Sequence, residues 1–348
     1  MARCPLRSVA MNLLIIGGGV FLGQALLGAA LENGHTVTVF NRGMSRQWWP
    51  PGVKWVVGDR AEDLHLLMNK NWDAVIDTCG YRPQDVELSC AALFDSCERY
   101  VYISSVSAYA SFAKPPIRES DPTASIIGID TQSVNGNNYG PMKAECERTV
   151  ARVFGARSIL VRPGLIVGPD DPTGRFSYWP WRIAAGGRVL APGQPERPIQ
   201  FIDARDLAAW ILRLIAQRAS GAFNGTGPNE GATFVELLDT CRWICGEEVE
   251  VEWVDERFLE REGVQPWLEL PLWIPSHDPT TRGFHYVDTT RAKASGLKTR
   301  PMAVTLNDIL EAGIPVASDK RRAGKMTRQR ERDLLSVWLS YRQGMAVA

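Results

Sequence analysis

The chain has 348 residues, 45% hydrophobic and 22% charged, with 39 acidic against 39 basic side chains and a formal net charge of zero. That length fits one large domain or two closely joined ones. Balanced charge argues against a phosphate-backbone surface, so no nucleic acid is expected, and no apolar run reaches the ~20 residues a bilayer requires, so no membrane is expected either. Seven cysteines in no regular framework suggest reduced thiols in the cytoplasm. Cys241 and Cys245 are the closest pair and have no histidine near them, so no metal is expected.

The segment MARCPLRSVA before Met11 is too short and polar to be a secretory signal, and is expected to be a poorly ordered extension. NLLIIGG then predicts a strand, and FLGQALLGAALENG a helix stopped by Gly34. Between them lies the turn GGGVFLG. In a dinucleotide-binding turn the first glycine makes the bend, the second admits the pyrophosphate and the third lets helix and strand pack closely. Gly17 and Gly23 fit the outer positions, and Val20 stands at the central one. A valine pointing outward leaves the N–H donors unchanged, so Gly17, Gly19, Val20, Phe21, Leu22 and Gly23 remain a candidate phosphate cradle at a helix N-terminus. A tight structural turn is the competing reading.

The second strand, HTVTVFNRG, ends in Asn41 and Arg42, with Arg46 a turn later. Many NAD binders carry an acid here to hold the ribose hydroxyls. An arginine in its place can pair with a 2′-phosphate, which predicts a preference for NADP(H) over NAD(H); a solvated loop arginine is the alternative. VKWVVGD follows, with Asp59 placed to accept from the adenine amino group, and WDAVIDTCG ends in Thr78, Cys79 and Gly80, further candidate cofactor contacts. PQDVELSCAALFDS is helical, and RYVYISSV is a strand whose end delivers Ser104, Ser105 and Ser107 to the carboxyl edge of the sheet.

NNYGPMKAECERTV puts Tyr139 and Lys143 four apart on one helix face. A phenol is a poor base at neutral pH, but a nearby ammonium and a cationic nicotinamide would lower its pKa. Tyr139 is then the candidate proton carrier, Lys143 its electrostatic partner and holder of the nicotinamide ribose, and a strand-end serine the clamp on the substrate oxygen.

SILVRPGLIVG is expected as one β segment. After Pro169 the chain turns aromatic (DDPTGRFSYWPWR), as if leaving the sheet to build a lid, and IQFIDARDLAAWILRLIAQ returns to it as strand then helix. An aromatic wall containing Trp179 would suit a flat or apolar substrate. Residues 317–332 are expected to be a charged, solvated connection, and RDLLSVWLSYRQ a terminal amphipathic helix docked over an apolar groove.

These motifs resemble the short-chain dehydrogenase/reductase superfamily in its extended, atypical epimerase/dehydratase-like form, over nearly all of residues 11–312. SSVSAYA is similar to that family's SSxxVYG, which gives Ser105 the substrate-oxygen role, and Tyr139 and Lys143 match its Tyr-x-x-x-Lys pair. VRPGLIVGP resembles LRPxxVYGP, which implicates Pro163, Gly164 and Ile166 in nicotinamide contact, and FIDARDLA places Asp206 at an acidic position. The glycine loop is closer to an atypical branch with GGTRFIG loops. Sugar-nucleotide epimerases of the family carry a diphosphate-gripping arginine where this chain has Ile199, so Arg197 would have to reach in; Arg282 lies where their later arginine stands. Val106 and Ser107 replace the acids of the 4,6-dehydratases.

The resemblance implies a Rossmann-type α/β fold, a doubly wound parallel sheet with a smaller C-terminal substrate-binding subdomain. The expected division is 11–172 with 201–222 for the cofactor domain, 173–200 with 223–316 for the substrate part, and 317–348 for connection and terminal helix. It implies an NAD(P)-dependent enzyme, a small-molecule substrate and a homodimer. The leading expectation is hydride transfer at a carbonyl or secondary alcohol of a small, partly apolar molecule. The alternatives are a sugar epimerase with retained NAD and a non-catalytic cofactor-sensing or RNA-associated protein.

Overall fold

The computed structural model describes residues 10–313 and 324–347, apart from 229 and 247. The polar extension, save for Ala10, and the stretch 317–323 of the charged connection lie outside the described residues.

In chain order the first half gives β1 (Asn12–Ile16), α1 (Leu22–Glu32), β2 (Thr36–Asn41), β3 (Val53–Val57), β4 (Ala74–Asp77), α2 (Pro83–Leu93), β5 (Tyr100–Ile103), α3 (Tyr139–Phe154) and β6 (Ser158–Pro163). Then come β7 (Leu165–Val167), α4 (Tyr178–Ala184), β8 (Gly187–Pro192), β9 (Phe201–Asp203), α5 (Ala204–Ala216) and β10 (Gly221–Gly225). The remainder is α6 (Phe234–Cys245), β11 (Val249–Val254), α7 (Glu256–Arg261), α8 (Thr290–Ala294), α9 (Met302–Ala312) and α10 (Arg328–Val347).

Seven strands form one sheet in the order β10-β6-β5-β4-β1-β2-β3, and every pairing is parallel. β4, β5 and β6 are buried at every residue, as a parallel sheet covered by helices on both faces requires. The order reverses between β1 and β4, and ligands of open α/β sheets bind at that crevice. The segments after β1, β4, β5 and β6 all emerge at this carboxyl edge.

Two expectations change. SILVRPGLIVG is not one strand: it breaks at Gly164 into β6, inside the sheet, and β7, which pairs with β9 in a separate two-stranded ribbon. The chain therefore does not re-enter the main sheet at IQFID. It re-enters at β10, whose five residues run past the expected boundary at 222.

A second core lies beyond the sheet. The parallel pair β8 and β11, helices α4, α6, α7 and α9, and Leu334, Leu335 and Trp338 of α10 pack into one apolar cluster. α10 is docked as expected. Glu331 accepts from Arg182 Nε at 2.8 and 2.9 Å and from Leu190 N at 3.1 Å, with both charged side chains almost fully buried.

Candidate active site

The glycine turn is built for close approach. Gly17 and Gly18 have φ of +101° and +73°, which L side chains adopt rarely. A Cβ on Gly23 would fall well inside contact distance of Gly18 Cα, so glycine there sets how closely α1 meets β1. Thr78 and Asn41 hold the turn from either side. Thr78 Oγ1 donates to Ile16 O at 2.8 Å and accepts from Gly18 N at 3.3 Å; Asn41 Nδ2 donates to Gly17 O at 2.8 Å. Val20 points outward and is 55% exposed, and no side chain caps α1. The Gly23 and Gln24 N–H groups turn back onto Val20 O and Phe21 O, both at 2.9 Å, so it is the Phe21 and Leu22 N–H groups at the mouth of the helix that fit a pyrophosphate.

The glycine-to-alanine change at Gly23 is a direct check. Gly23→Ala is expected to push α1 off the turn, lowering cofactor affinity about tenfold or more and stability by roughly 1–3 kcal/mol. Calorimetric cofactor titration and urea unfolding of the variant read both effects.

The neighbouring predicted contacts sort into holders and free groups. Asn41 Oδ1 accepts from both Gly43 N (2.9 Å) and Trp55 Nε1 (3.2 Å), so this side chain shapes the loop and its oxygen is already satisfied. Asp59 is a turn former as well: its Oδ1 accepts from Ala61 N at 2.8 Å. Arg46 lies against the Trp48 and Trp49 rings, 5.6 and 5.5 Å from their centroids. Arg42 is exposed and makes no hydrogen bond or ion pair among the described residues. Cys79 sits beside Asp77 and the Arg60 guanidinium, and burial pushes its thiol up to about 11, so it is no nucleophile. Arg60 pairs with the fully buried Asp77 at 2.8 Å, beneath the floor of the crevice.

At the reacting end, α3 is pressed onto the turn after β5. A Cβ on Gly140 would strike Ser107 O, so the residue after Tyr139 must be small. This brings Tyr139 into hydrogen-bonding contact with Ser105. Ser105 Oγ also accepts from Ser107 N at 3.1 Å, which fixes its rotamer. Lys143 Nζ donates to Gly80 O at 2.9 Å and Ile103 O at 2.7 Å, and its charge lies 5.9 Å from the Tyr139 ring centroid. One of its three N–H bonds remains for a ligand. Ser105, Tyr139 and Lys143 therefore converge as expected.

The electrostatics differ from expectation. Burial raises the Tyr139 pKa above the ordinary phenol value, and the Ser105 hydrogen bond and the Arg175 charge only partly oppose it. Lys143, whose charge was expected to lower it, is not among the groups acting on the phenol in the protein alone.

Ser104 Oγ is buried without a hydrogen-bond partner, as is Thr226 Oγ1, which sits where a side chain on Gly164 would go. Both hydroxyls flank the end of β6, beside Pro163 and Gly164. Buried orphan hydroxyls and a glycine cradle together fit the nicotinamide cofactor. Thr226 escaped sequence reasoning; only its place directly after β10 marks it.

Of the predicted substrate residues, Ser105 is in the site, but Trp179 and Arg197 do not reach it. Trp179 is 0% exposed, donates Nε1 to Pro271 O at 3.0 Å and packs edge-on to Phe234; it belongs to the second core and forms no wall of the site. Arg197 is consumed by Glu256 (3.3 Å), Ile274 O (3.1 Å) and Leu272 O (2.5 Å), and burial pushes its pKa down to about 10. Ile199 is buried, Arg282 bonds to Ala113 O, and Asp206 pairs with Arg300 at 2.8 Å. Among the described residues no cluster of histidine, cysteine and carboxylate side chains suits a metal, and no helix is long and apolar enough to cross a membrane.

Comparison with known proteins gives a consistent picture. The model of the NAD dependent epimerase/dehydratase family matches residues 13–225. The chain is 26% identical over 252 residues to the chloroplast stem-loop binding protein of 41 kDa b of Arabidopsis thaliana, across 66% of this chain and 62% of that protein's length. It is 26% identical over 321 residues to the UDP-glucose 4-epimerase of Azospirillum brasilense, across 77% and 88% of the two chains. The crystal structure of UDP-N-acetylglucosamine 4-epimerase from Bacillus cereus superposes with a TM-score of 0.63 at 19% identity, covering 88% of this chain and 98% of that one; the likeness is one of fold.

Proposed function

Because the chain belongs to the NAD dependent epimerase/dehydratase family and is an enzyme of that kind, we propose that it is an NADP(H)-preferring reductase acting on a carbonyl group of a small molecule. The observation that carries the reading is the convergence of Ser105, Tyr139 and Lys143 at the carboxyl edge, next to an uncapped helix N-terminus.

When bound, the nicotinamide cofactor supplies the hydride. The turn from Gly17 to Gly23 would hold its pyrophosphate, Lys143 its ribose, and Ser104 with the backbone after Pro163 its ring amide. Ser105 holds the substrate oxygen by hydrogen bonding. Tyr139 gives that oxygen its proton, and a phenol kept protonated by burial is a donor at neutral pH. Reduction is therefore the direction the residues favour.

Two observations speak against a nucleotide-sugar substrate. Ile199 is buried, and Arg197 has its charge neutralised by Glu256, so neither is available to a diphosphate. The likeness to a UDP-glucose 4-epimerase favours the second reading, epimerisation with retained NAD.

Arg42 supports the NADP(H) preference, as an exposed cation just after β2 with no partner among the described residues and with Asn41, not an acid, before it. Arg42→Ala is expected to weaken NADPH binding about tenfold and leave NADH binding roughly unchanged, read by quenching of tryptophan fluorescence. Equal loss for both cofactors would remove the 2′-phosphate role. NAD co-purifying with the protein would favour the epimerase.

A further inference from the structure

Lys143 is closely surrounded. The residue is 2% exposed, although a nicotinamide ribose has to reach its ammonium. Two of its N–H bonds go to Gly80 O and Ile103 O. Three aromatic rings stand around Nζ as well, with centroids at 4.8 Å for Tyr81, 4.9 Å for Tyr102 and 5.9 Å for Tyr139. Each lies within the ~6 Å over which a ring face attracts a cation.

These neighbours differ in their freedom to move. Tyr102 is fully buried and donates its hydroxyl to Gly80 O at 2.8 Å. Tyr139 rests on Ser105. Gly80 itself is packed hard, since a Cβ there would fall 2.7–2.9 Å from Val86, Tyr102 and Asp77. Tyr81 is different: it is 41% exposed, with its ring 6.5 Å from that of Tyr139 and tilted by 41°. The next residue, Arg82, is pinned to Asp85 by bonds of 2.6 and 3.0 Å. The backbone is thus held on both sides of Tyr81, and what can turn is the side chain, by the fast rotamer exchange of an exposed residue.

We propose that Tyr81 is the gate of the ribose site. Its ring covers the solvent side of the Lys143 ammonium, and incoming ribose hydroxyls compete with the ring face for that cation. Cofactor then enters only those molecules in which the ring has turned aside, and association is slowed by that fraction. Tyr81 acts through Lys143 and is a positioning residue, not a catalytic one. This inference rests on the reading that Lys143 holds the ribose of a nicotinamide cofactor.

The test is stopped-flow quenching of tryptophan fluorescence by NADPH, on the full chain and three variants. Tyr81→Leu keeps apolar bulk without a π face and is expected to raise the association rate constant about fivefold or more. Tyr81→Ala, which removes bulk and π face together, is expected to raise it at least as much. Tyr81→Phe keeps the ring and is expected to match wild type. A ring that merely supports the fold would leave association unchanged or slower when lost. Association no faster in Tyr81→Leu and Tyr81→Ala than in Tyr81→Phe therefore overturns the proposal, and leaves the oxidoreductase reading standing. Failure of wild type to bind any nicotinamide cofactor overturns that reading and the gate with it.

Discussion

Tyr139→Phe is expected to cut turnover about 10²–10⁴-fold with cofactor affinity roughly unchanged. The substitution removes one oxygen and keeps the ring that packs near Tyr81 and under the Lys143 ammonium. The lost oxygen is the one that touches Ser105 and would reach the substrate. Ser105→Ala is expected to act in the same direction with a smaller effect, since the phenol survives. The pH profile carries a sign. Reduction needs the protonated phenol, whose pKa in the folded protein lies above the ordinary value of about 10. The Tyr139 contribution to reduction is therefore present at neutral pH and lost as pH rises through the raised pKa; oxidation of an alcohol runs the other way. Steady-state rates in both directions across pH, with any carbonyl substrate found by screening, decide this. Wild-type-like turnover in Tyr139→Phe would remove the residue from the chemistry.

Glu331→Ala is expected to cost about 3–5 kcal/mol, the largest stability change among single substitutions proposed for this chain. The reason is not the strength of the ion pair but what remains after it is cut. Arg182 would keep a buried guanidinium, held by Gly186 O (3.0 Å) and Arg188 O (2.5 Å) with no counter-charge, and Leu190 N would lose its acceptor. The double replacement Arg182→Met with Glu331→Leu leaves no stranded charge and is expected to cost much less than Glu331→Ala. Glu98 offers the contrast. It pairs with Arg218 on the surface, with the two side chains 59% and 68% exposed, and Glu98→Ala is expected to change stability by less than about 1 kcal/mol. Urea midpoints of the four proteins give the comparison. A Glu331→Ala shift no larger than that of Glu98→Ala would mean that α10 is not docked through this pair.

Much of the architecture was legible because its signals are local. Apolar runs such as LLII and AVID can only be interior strands when helical stretches separate them, and the spacing of Gly17 and Gly23 points to the turn. Tyr139 and Lys143 were legible for the same reason, being four apart on one helix. What escaped depends on distant partners. GAFNG looks like a loop, since it is short and bracketed by glycines, yet β6 recruits it as the seventh strand. Gly164 splits one apolar run into two sheets, because Thr226 occupies the space beside it. Trp179 is indistinguishable in sequence from a pocket wall; only Phe234 and Pro271, 55 and 92 residues away, show it to be core.

The link from Glu331 back to Arg182 and Leu190 spans 149 and 141 positions of the chain. At a synthesis rate of ~5–20 residues per second, roughly 7–30 s separate the wall of the second core from the helix that closes it. The seven-stranded sheet has no such delay, since its last strand ends at Gly225. A nascent chain therefore holds a complete seven-stranded sheet beside an apolar wall still waiting for Leu334, Leu335 and Trp338, and through that interval the exposed face is a target for chaperones and a starting point for aggregation.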